Sequence, residues 1–169
     1  MLRKMLSTIG EDFWKNQSTS LLQNASGVFE EANKTIAQYP PLNDFFAVAK
    51  ILIGQDVHIG AGVMIIFLRN SGKFTGWIER MLKALDRDFC LSSADLLLKD
   101  GAGDDMGLNF TDKTQQMLET ESPDLAAALS LLGFKFGVGF TAGAYLQLEL
   151  FRRLEEKDFG VEPEGRLIQ

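Results

Sequence analysis

The sequence predicts an all-α fold: a single-domain bundle of five to seven helices around a central helix notched by glycines. Apolar residues recur at intervals of three and four along much of the chain, which is the period of one helix face. Serine and proline mark several helix starts. The 169 residues are 46% hydrophobic, enough for one core. We therefore expect one domain over residues 1–169, with a polar tail from about residue 159.

The first long helix is predicted between residues 13 and 39. One stripe of it should be buried, and this stripe consists of Leu21, Ala25, Val28, Phe29, Ala32 and Ile36. The helix should end before Pro40 and Pro41, because proline cannot continue a helix and disfavours helical geometry in the residue before it. A second element is expected to begin there.

The next segment, residues 43–68, is apolar on nearly every face, so we predict a helix at the centre of the bundle. Its glycines oppose this prediction, since each one costs about 1 kcal/mol relative to alanine inside a helix. We therefore expect the helix to be broken or bent near Gly60. The alternative is an α+β fold with short strands between residues 48 and 68, because β-branched residues are frequent there.

Short helices are predicted in the middle of the chain. One of them is amphipathic and has its apolar face at Trp77, Ile78, Met81, Leu82 and Leu85. Beyond it, residues 95–124 carry eight acidic residues against two lysines. A solvated negative face explains this imbalance, and a docking site for a basic partner is the functional alternative. The acidic residues do not match the spacing of a calcium-binding loop, so no metal ligand is assigned.

The last helix has the clearest start in the sequence, with Ser122 as the cap, Pro123 in the first turn and Asp124 facing the positive helix end. We predict one continuous helix from there to about Lys157, packed against residues 43–68. Two pairs of glycines spaced four residues apart lie in it: Gly133 with Gly137, and Gly139 with Gly143. Each pair would let another helix approach closely, so these glycines are the predicted helix-packing or interface positions.

The same glycine-rich stretch also suggests a nucleotide loop or a membrane segment. Its glycines lack the strand-helix-strand context of a dinucleotide-binding loop, and few residues remain after Lys157 to supply one. Residues 125–148 are long enough to cross a bilayer, but a central lysine, Lys135, costs about 2.5–3.5 kcal/mol on insertion scales. We expect burial in a soluble bundle instead of a membrane span. A soluble form that inserts conditionally stays open.

The net charge and the cysteine content limit the classes of partner and the cellular compartment that we expect for this protein. The net charge of -6 and the pI near 4.8 argue against nucleic-acid binding, which depends on basic side chains that neutralise phosphates. Cys90 is the only cysteine, so no internal disulfide forms, which fits a reducing compartment. No apolar run typical of a secretory signal precedes Glu11 and Asp12. These features predict a cytoplasmic protein.

His58 is the sole histidine, and it lies close to Asp56 in an apolar run. Such a residue can act as a general base, a metal ligand or a pH switch, but the simpler interpretation is a core or interface histidine with one hydrogen bond. One histidine cannot supply the usual zinc ligand sets, and no partners for a serine triad are identifiable. We assign no catalytic residue, metal or cofactor, and keep Asp56, His58 and Lys135 as a candidate polar site.

For function, the sequence favours a non-enzymatic binding or adaptor protein that self-associates or engages a protein partner through apolar helix faces. The first alternative is a carrier or sensor that holds a hydrophobic small molecule between helices. Its pocket would be lined by aromatic residues beside the glycines: Phe134, Phe136, Phe140 and Tyr145. The second alternative is an enzyme that uses His58 and Asp56.

Overall fold

A computed structural model describes residues 1–97 and 112–158 and confirms the all-α class. Within those ranges there are ten α-helices, more than the five to seven expected, and no strand. The helices are α1 Leu2–Thr8, α2 Glu11–Gln23, α3 Ala25–Ala37, α4 Pro40–Leu52, α5 Val57–Asn70, α6 Thr75–Ala84, α7 Arg87–Ser92, α8 Asp112–Glu121, α9 Pro123–Phe136 and α10 Val138–Asp158. A short 3₁₀ helix, Ala94–Leu97, follows α7. The polar tail expected from residue 159 lies outside the described residues, as do residues 98–111 of the acidic stretch.

Two of the predicted long helices are each divided by a short turn. The helix predicted for residues 13–39 is interrupted at Asn24, between α2 and α3. The break predicted near Gly60 occurs earlier, at residues 53–56, and Gly60 lies inside α5. The strands considered between residues 48 and 68 are not formed, because α4 and α5 are helical on both sides of that turn. The helical cost of Gly60 is outweighed by the close packing that its missing side chain permits.

The prediction of one continuous helix from Pro123 to Lys157 was wrong, although its start at Pro123 is confirmed. The chain turns at Gly137, whose φ of 106° and ψ of 167° are accessible to glycine but strained for residues with a Cβ. Gly133 and Thr141 would lie about 12 Å apart along an uninterrupted helix. Instead, a Cβ on Gly133 would lie only 2.0 Å from Oγ1 of Thr141, so α10 folds back towards α9 at this corner.

Helix α5 is the centre of the molecule and is packed between α3 and α10. Glycines allow the backbones to approach closely on both sides. A Cβ on Gly60 would lie 1.9 Å from the carbonyl oxygen of Phe140 in α10, and a Cβ on Gly62 would lie 2.5 Å from that of Ala32 in α3. Two residues along a helix correspond to a rotation of about 200°, so these two glycines serve opposite faces. The predicted packing against residues 43–68 is thus made mainly by α10.

The predicted interface glycines have different roles in this packing. A Cβ on Gly143 would lie 1.8 Å from the carbonyl oxygen of Val57, which makes this glycine a close-contact position. Gly139 makes ordinary contacts with the turn before α5, while Gly137 has open space around it and is needed for its positive φ. Gly139, at the start of α10, lies beside Asp56, which precedes α5. Further along α10, Phe151 packs on Trp77, which comes shortly after the end of α5, at a ring-centroid distance of 5.8 Å, so the two helices run in the same direction.

A buried carboxylate ties α8 and the 3₁₀ helix to α10. Glu149 in α10 is 2% exposed and accepts hydrogen bonds from the Thr114 hydroxyl in α8 and from Nε of Arg152 at 3.1 Å. Nε of Arg153 also donates to it at 3.3 Å. The Arg153 guanidinium binds Asp95 of the 3₁₀ helix through two bonds of 2.8 and 3.0 Å. Glu149 is the buried member of this network, while Arg153 and Asp95 have side chains that are 28% and 55% exposed, so loss of the arginine bonds would leave the buried carboxylate without compensation.

We expect Gly60→Ala and Gly143→Ala each to lower the free energy of unfolding by at least about 1–3 kcal/mol, because the added methyl group would overlap a backbone carbonyl of the neighbouring helix. Urea unfolding followed by circular dichroism measures this. Gly76→Ala in α6 is the matched control, since nothing lies within 4 Å of its Cβ position. The control should be neutral or more stable by up to about 1 kcal/mol. Equal stability of Gly60→Ala and Gly76→Ala would contradict the packing described.

Glu149→Gln should destabilise the protein by about 1.5–3 kcal/mol, because a neutral amide in this buried position loses the charge-assisted hydrogen bonds from the two arginines. Glu156→Gln is the control on the same helix, since Glu156 also binds Arg152 but its side chain is 56% exposed. An exposed ion pair contributes about 0–1 kcal/mol, so this variant should unfold almost like the parent. If the two variants lose the same stability, the buried network does not tie these helices together.

Candidate functional site

An open groove of about 280 Å³ lies between α4 on one side and α7 with the 3₁₀ helix on the other. Its floor is apolar and is formed by buried side chains, including Phe45 and Cys90. The described residues that line it are Pro41, Asp44, Phe45, Val48, Arg87, Cys90, Leu91, Ala94 and Leu97. The groove is therefore built by two helical walls and opens between them to solvent.

Both walls show the same sequence spacing. On α4 the lining residues are Pro41, Asp44, Phe45 and Val48, and on the opposite wall they are Arg87, Cys90, Leu91 and Ala94. Each set follows the pattern i, i+3, i+4, i+7 in sequence. On α4 this pattern places all four residues on one helix face over two turns. On the opposite wall it places Arg87, Cys90 and Leu91 on one face of α7, and Ala94 continues the wall from the 3₁₀ helix.

The rims of the groove are exposed and the charges are divided between the walls. Val48 is 48% exposed on α4, and Leu91 is 62% exposed on α7. Asp44 lies on the first wall and Arg87 on the second. Neither has an ion-pair partner within residues 1–97 and 112–158. The groove thus combines apolar rims with one charge of each sign.

Cys90 lies in the floor of this groove and is 6% exposed, as expected for a small apolar side chain in the core. Burial raises the pKa of its thiol to about 11, and the negative charges of Asp86 and Asp44 add to the shift. The thiol is therefore protonated at neutral pH. Because the thiolate is the nucleophilic form, these surroundings suit packing and binding and do not activate a cysteine nucleophile.

The predicted polar residues lie at one end of the molecule but do not form a hydrogen-bonded group. Asp56 precedes α5 without a capping bond from its side chain, and Lys135 is exposed in the last turn of α9. His58, in the first turn of α5, has a buried Nδ1 that lacks a hydrogen-bond partner in the described part of the chain. No hydrogen bond there joins Asp56, His58 and Lys135.

The four aromatic side chains predicted to line a pocket lie in different surroundings. Phe134 is 94% exposed and projects into solvent. Phe136 and Phe140 pack with Phe29 of α3, at ring-centroid distances of 5.0 and 6.1 Å. Tyr145 is buried, and its burial together with the charge of Glu119 in α8 raises its pKa. The four side chains do not surround a common space for a ligand.

Sequence reasoning did not find the groove. The spacing on α4 and on residues 87–94 was visible, and it is the signal that could have drawn attention to these stripes. However, α7 has only six residues, and no local pattern shows that it packs beside α4. The groove is a product of the tertiary arrangement.

Comparison of the chain with protein-family models, with curated proteins and with solved structures found no match. Across residues 1–97 and 112–158, no group of three or more histidine, cysteine, aspartate or glutamate side chains is arranged to hold a metal ion. In the same ranges, no helix combines the length and apolar character needed to cross a membrane.

His58 should make stability depend on pH. Burial, followed by the positive charge of Lys50, lowers the pKa of His58 below its usual value, and the backbone of Gln55 and the charge of Asp56 only partly oppose this. The unfolded chain then binds a proton more readily than the folded protein, so the free energy of unfolding falls as the pH decreases through about 6.5.

We expect His58→Gln to remove this contribution, so that its stability decreases less than that of the parent between about pH 7 and pH 5. Urea unfolding at several pH values across this window measures the difference. The carboxylates titrate in both proteins and cancel in the comparison. A parallel loss of stability in the two proteins would show that His58 does not carry the effect.

Proposed function

We propose that this chain is a non-enzymatic binding protein whose groove between α4 and α7 receives an amphipathic helix of a protein partner. The observation that carries the proposal is the pair of facing stripes, residues 41–48 and 87–94, each spaced i, i+3, i+4, i+7. Recognition of an amphipathic helix in a groove uses the same spacing on the ligand. A ligand helix would place its apolar face between Val48 and Leu91.

The small volume of the groove suits the insertion of a few side chains from a partner helix better than the enclosure of a small molecule. Pockets for drug-sized ligands have volumes of about 300–1,000 Å³ and bury most of the ligand. The groove has about 280 Å³ and exposed rims, so it is small and open. A stripe of seven residues is about 10.5 Å long, which suits a partner helix of two to three turns. Burial of Val48 and Leu91 by this helix would supply the apolar part of the affinity.

The two charges give the partner a defined chemistry. Asp44 on one wall favours a basic residue on the ligand helix, and Arg87 on the other favours an acidic one. Because the two walls carry opposite charges, a ligand with this pattern has a preferred direction in the groove. The expected partner is an amphipathic helix with apolar residues at i, i+3 or i+4, and i+7, flanked by one residue of each charge.

Other observations favour binding over the alternatives. The exposure of Phe134 and the packing of the partly buried Phe136 against Phe29 of α3 do not support a carrier pocket at the glycine corner. For the enzyme alternative, His58 has no hydrogen bond with Asp56 among the described residues to orient it. Cys90 is a buried free thiol, which fits a reducing compartment and supports the cytoplasmic location that the sequence predicts.

A displayed library of helix-forming peptides, selected on the purified protein, tests the proposal. We expect the selected peptides to share the apolar spacing and the two flanking charges. Their affinity should fall at least tenfold for Val48→Asp and for Leu91→Asp, since each places a charge against an apolar ligand face. Fluorescence anisotropy with a labelled peptide measures the affinities, and circular dichroism checks that each variant is folded.

Leu131→Asp on α9 is the matched control, because Leu131 is 57% exposed but lies away from the groove. It should bind the peptides like the parent. Selected peptides whose affinity is equally unaffected by Leu91→Asp and Leu131→Asp would overturn the proposal. A dimer in sedimentation equilibrium that Val48→Asp dissociates would also overturn it, because the groove would then bind a second copy.

A further inference from the structure

Two turns from distant parts of the sequence meet at one end of the molecule. We call this end the tip and define it as residues 50–56, which end α4 and lead into α5, together with residues 134–139, which form the corner between α9 and α10. A Cβ on Gly54 would lie 3.8 Å from Cα of Gly139, and a Cβ on Gly139 would lie 3.5 Å from the amide nitrogen of Asp56. The two turns are therefore in direct contact.

Large apolar side chains are exposed on both of these turns. Ile51 is 84% exposed and Leu52 is 42% exposed at the end of α4, while Phe134 is 94% and Val138 66% exposed at the corner. Three extended residues span at most about 11 Å. Ile51 is three residues from Gly54, and Val138 adjoins Gly139, so their Cα atoms lie within about 20 Å of one another. Single exposed apolar residues are common, but four on one contiguous end mark an interaction surface.

The tip is basic although the chain is acidic. It contains Lys50 and Lys135, both exposed, against one acidic residue, the partly buried Asp56. The whole chain has a net charge of -6. Helices α5 and α10 begin at the tip while α4 and α9 end there, so the helix dipoles largely cancel and the positive charge of the tip comes from the two lysines. In the neighbouring helix α3, Glu30 is already paired with Lys34 at 3.1 Å.

We propose that the tip docks on the surface of an anionic lipid bilayer. Phe134, Val138 and Ile51 would enter the boundary between headgroups and acyl chains, to a depth of about 5–10 Å. Lys50 and Lys135 would lie at the level of the anionic headgroups, where basic residues are attracted by the surface potential. The acidic body is repelled from the same surface, so the charge distribution points the tip towards the membrane. This contact is peripheral and does not require a spanning helix.

Charge and shape favour a bilayer over a second copy of the chain. A two-fold contact between tips would bring like charges together, because each tip carries Lys50 and Lys135. Phe134 is 94% exposed at the tip, so its whole ring is available to enter an apolar layer. An anionic bilayer is complementary to both the lysines and the apolar side chains. The groove is a separate surface, so this inference goes beyond the binding function proposed for it.

Sedimentation with vesicles tests the inference on the full chain. Vesicles of phosphatidylcholine with phosphatidylserine are compared with vesicles of phosphatidylcholine alone, and the partition coefficient of the protein is measured. We expect binding to the phosphatidylserine vesicles that weakens with added salt, and much weaker binding to the neutral ones. Lys135→Ala should reduce the partition coefficient about fivefold, the factor for one basic residue near the surface. Phe134→Ser should reduce it about tenfold.

Two control variants separate the tip from the rest of the molecule. Lys73→Ala removes an exposed lysine just after the other end of α5, which is about 20 Å from the tip. Leu91→Ser removes an exposed apolar side chain from the rim of the groove. Neither control should change vesicle binding. Since Phe134 is almost fully exposed, Phe134→Ser should unfold at the parent's temperature and should keep the parent's affinity for groove-binding peptides.

Three results would overturn the inference. Equal binding to neutral and anionic vesicles would remove the role of the lysines. Equal loss in Lys73→Ala and Lys135→Ala would show an effect of net charge without a tip. A dimer in sedimentation equilibrium that Phe134→Ser dissociates would assign the tip to a second copy. None of these results concerns the groove, and failure to select a groove-binding peptide would leave the vesicle result unchanged.

Discussion

The close approach of α5 to α3 and α10 is the constraint on which the rest of the structure depends. Backbone meets backbone at Gly60 and Gly143 on one side of α5, and at Gly62 on the other, at separations that leave no room for a Cβ. Van der Waals attraction increases steeply as such surfaces come together. The dense packing at these glycines therefore offsets their poor helix propensity. With α5 enclosed in this way, the remaining helices form a shell around it.

This central arrangement determines where both candidate surfaces lie. Because α5 and α10 run in the same direction, the turns that precede them meet at one end, and the exposed side chains of residues 50–56 and 134–139 are brought together there. Helix α4 packs on α5 through its buried face, which includes Leu42, Phe46 and Ala49. Its adjacent stripe is left for α7 and for the groove between them.

Glycine shows most clearly where sequence reasoning succeeded and where it did not. The sequence predicted helix packing at the glycines between residues 133 and 143, and Gly143 lies against the backbone of Val57, while Gly60, for which no packing role was predicted, lies equally close to Phe140. The sequence placed the breaks wrongly, expecting one near Gly60 and none at Gly137. A glycine tolerates both helical geometry and a positive φ, so its local preference does not tell which one it adopts. The choice at each position depends on the neighbouring backbone, which the sequence does not reveal locally.

Local signals were sufficient to specify the helical class, the start at Pro123 and the apolar face of α6, since periodicity, caps and prolines act within a few residues. Tertiary contacts alone decided that α9 and α10 are separate helices, that Phe134 is exposed while Phe136 is packed, and that α7 lies beside α4. These outcomes join residues that are far apart in the chain. Their energies come from the shape and burial of surfaces that exist only after the helices have assembled.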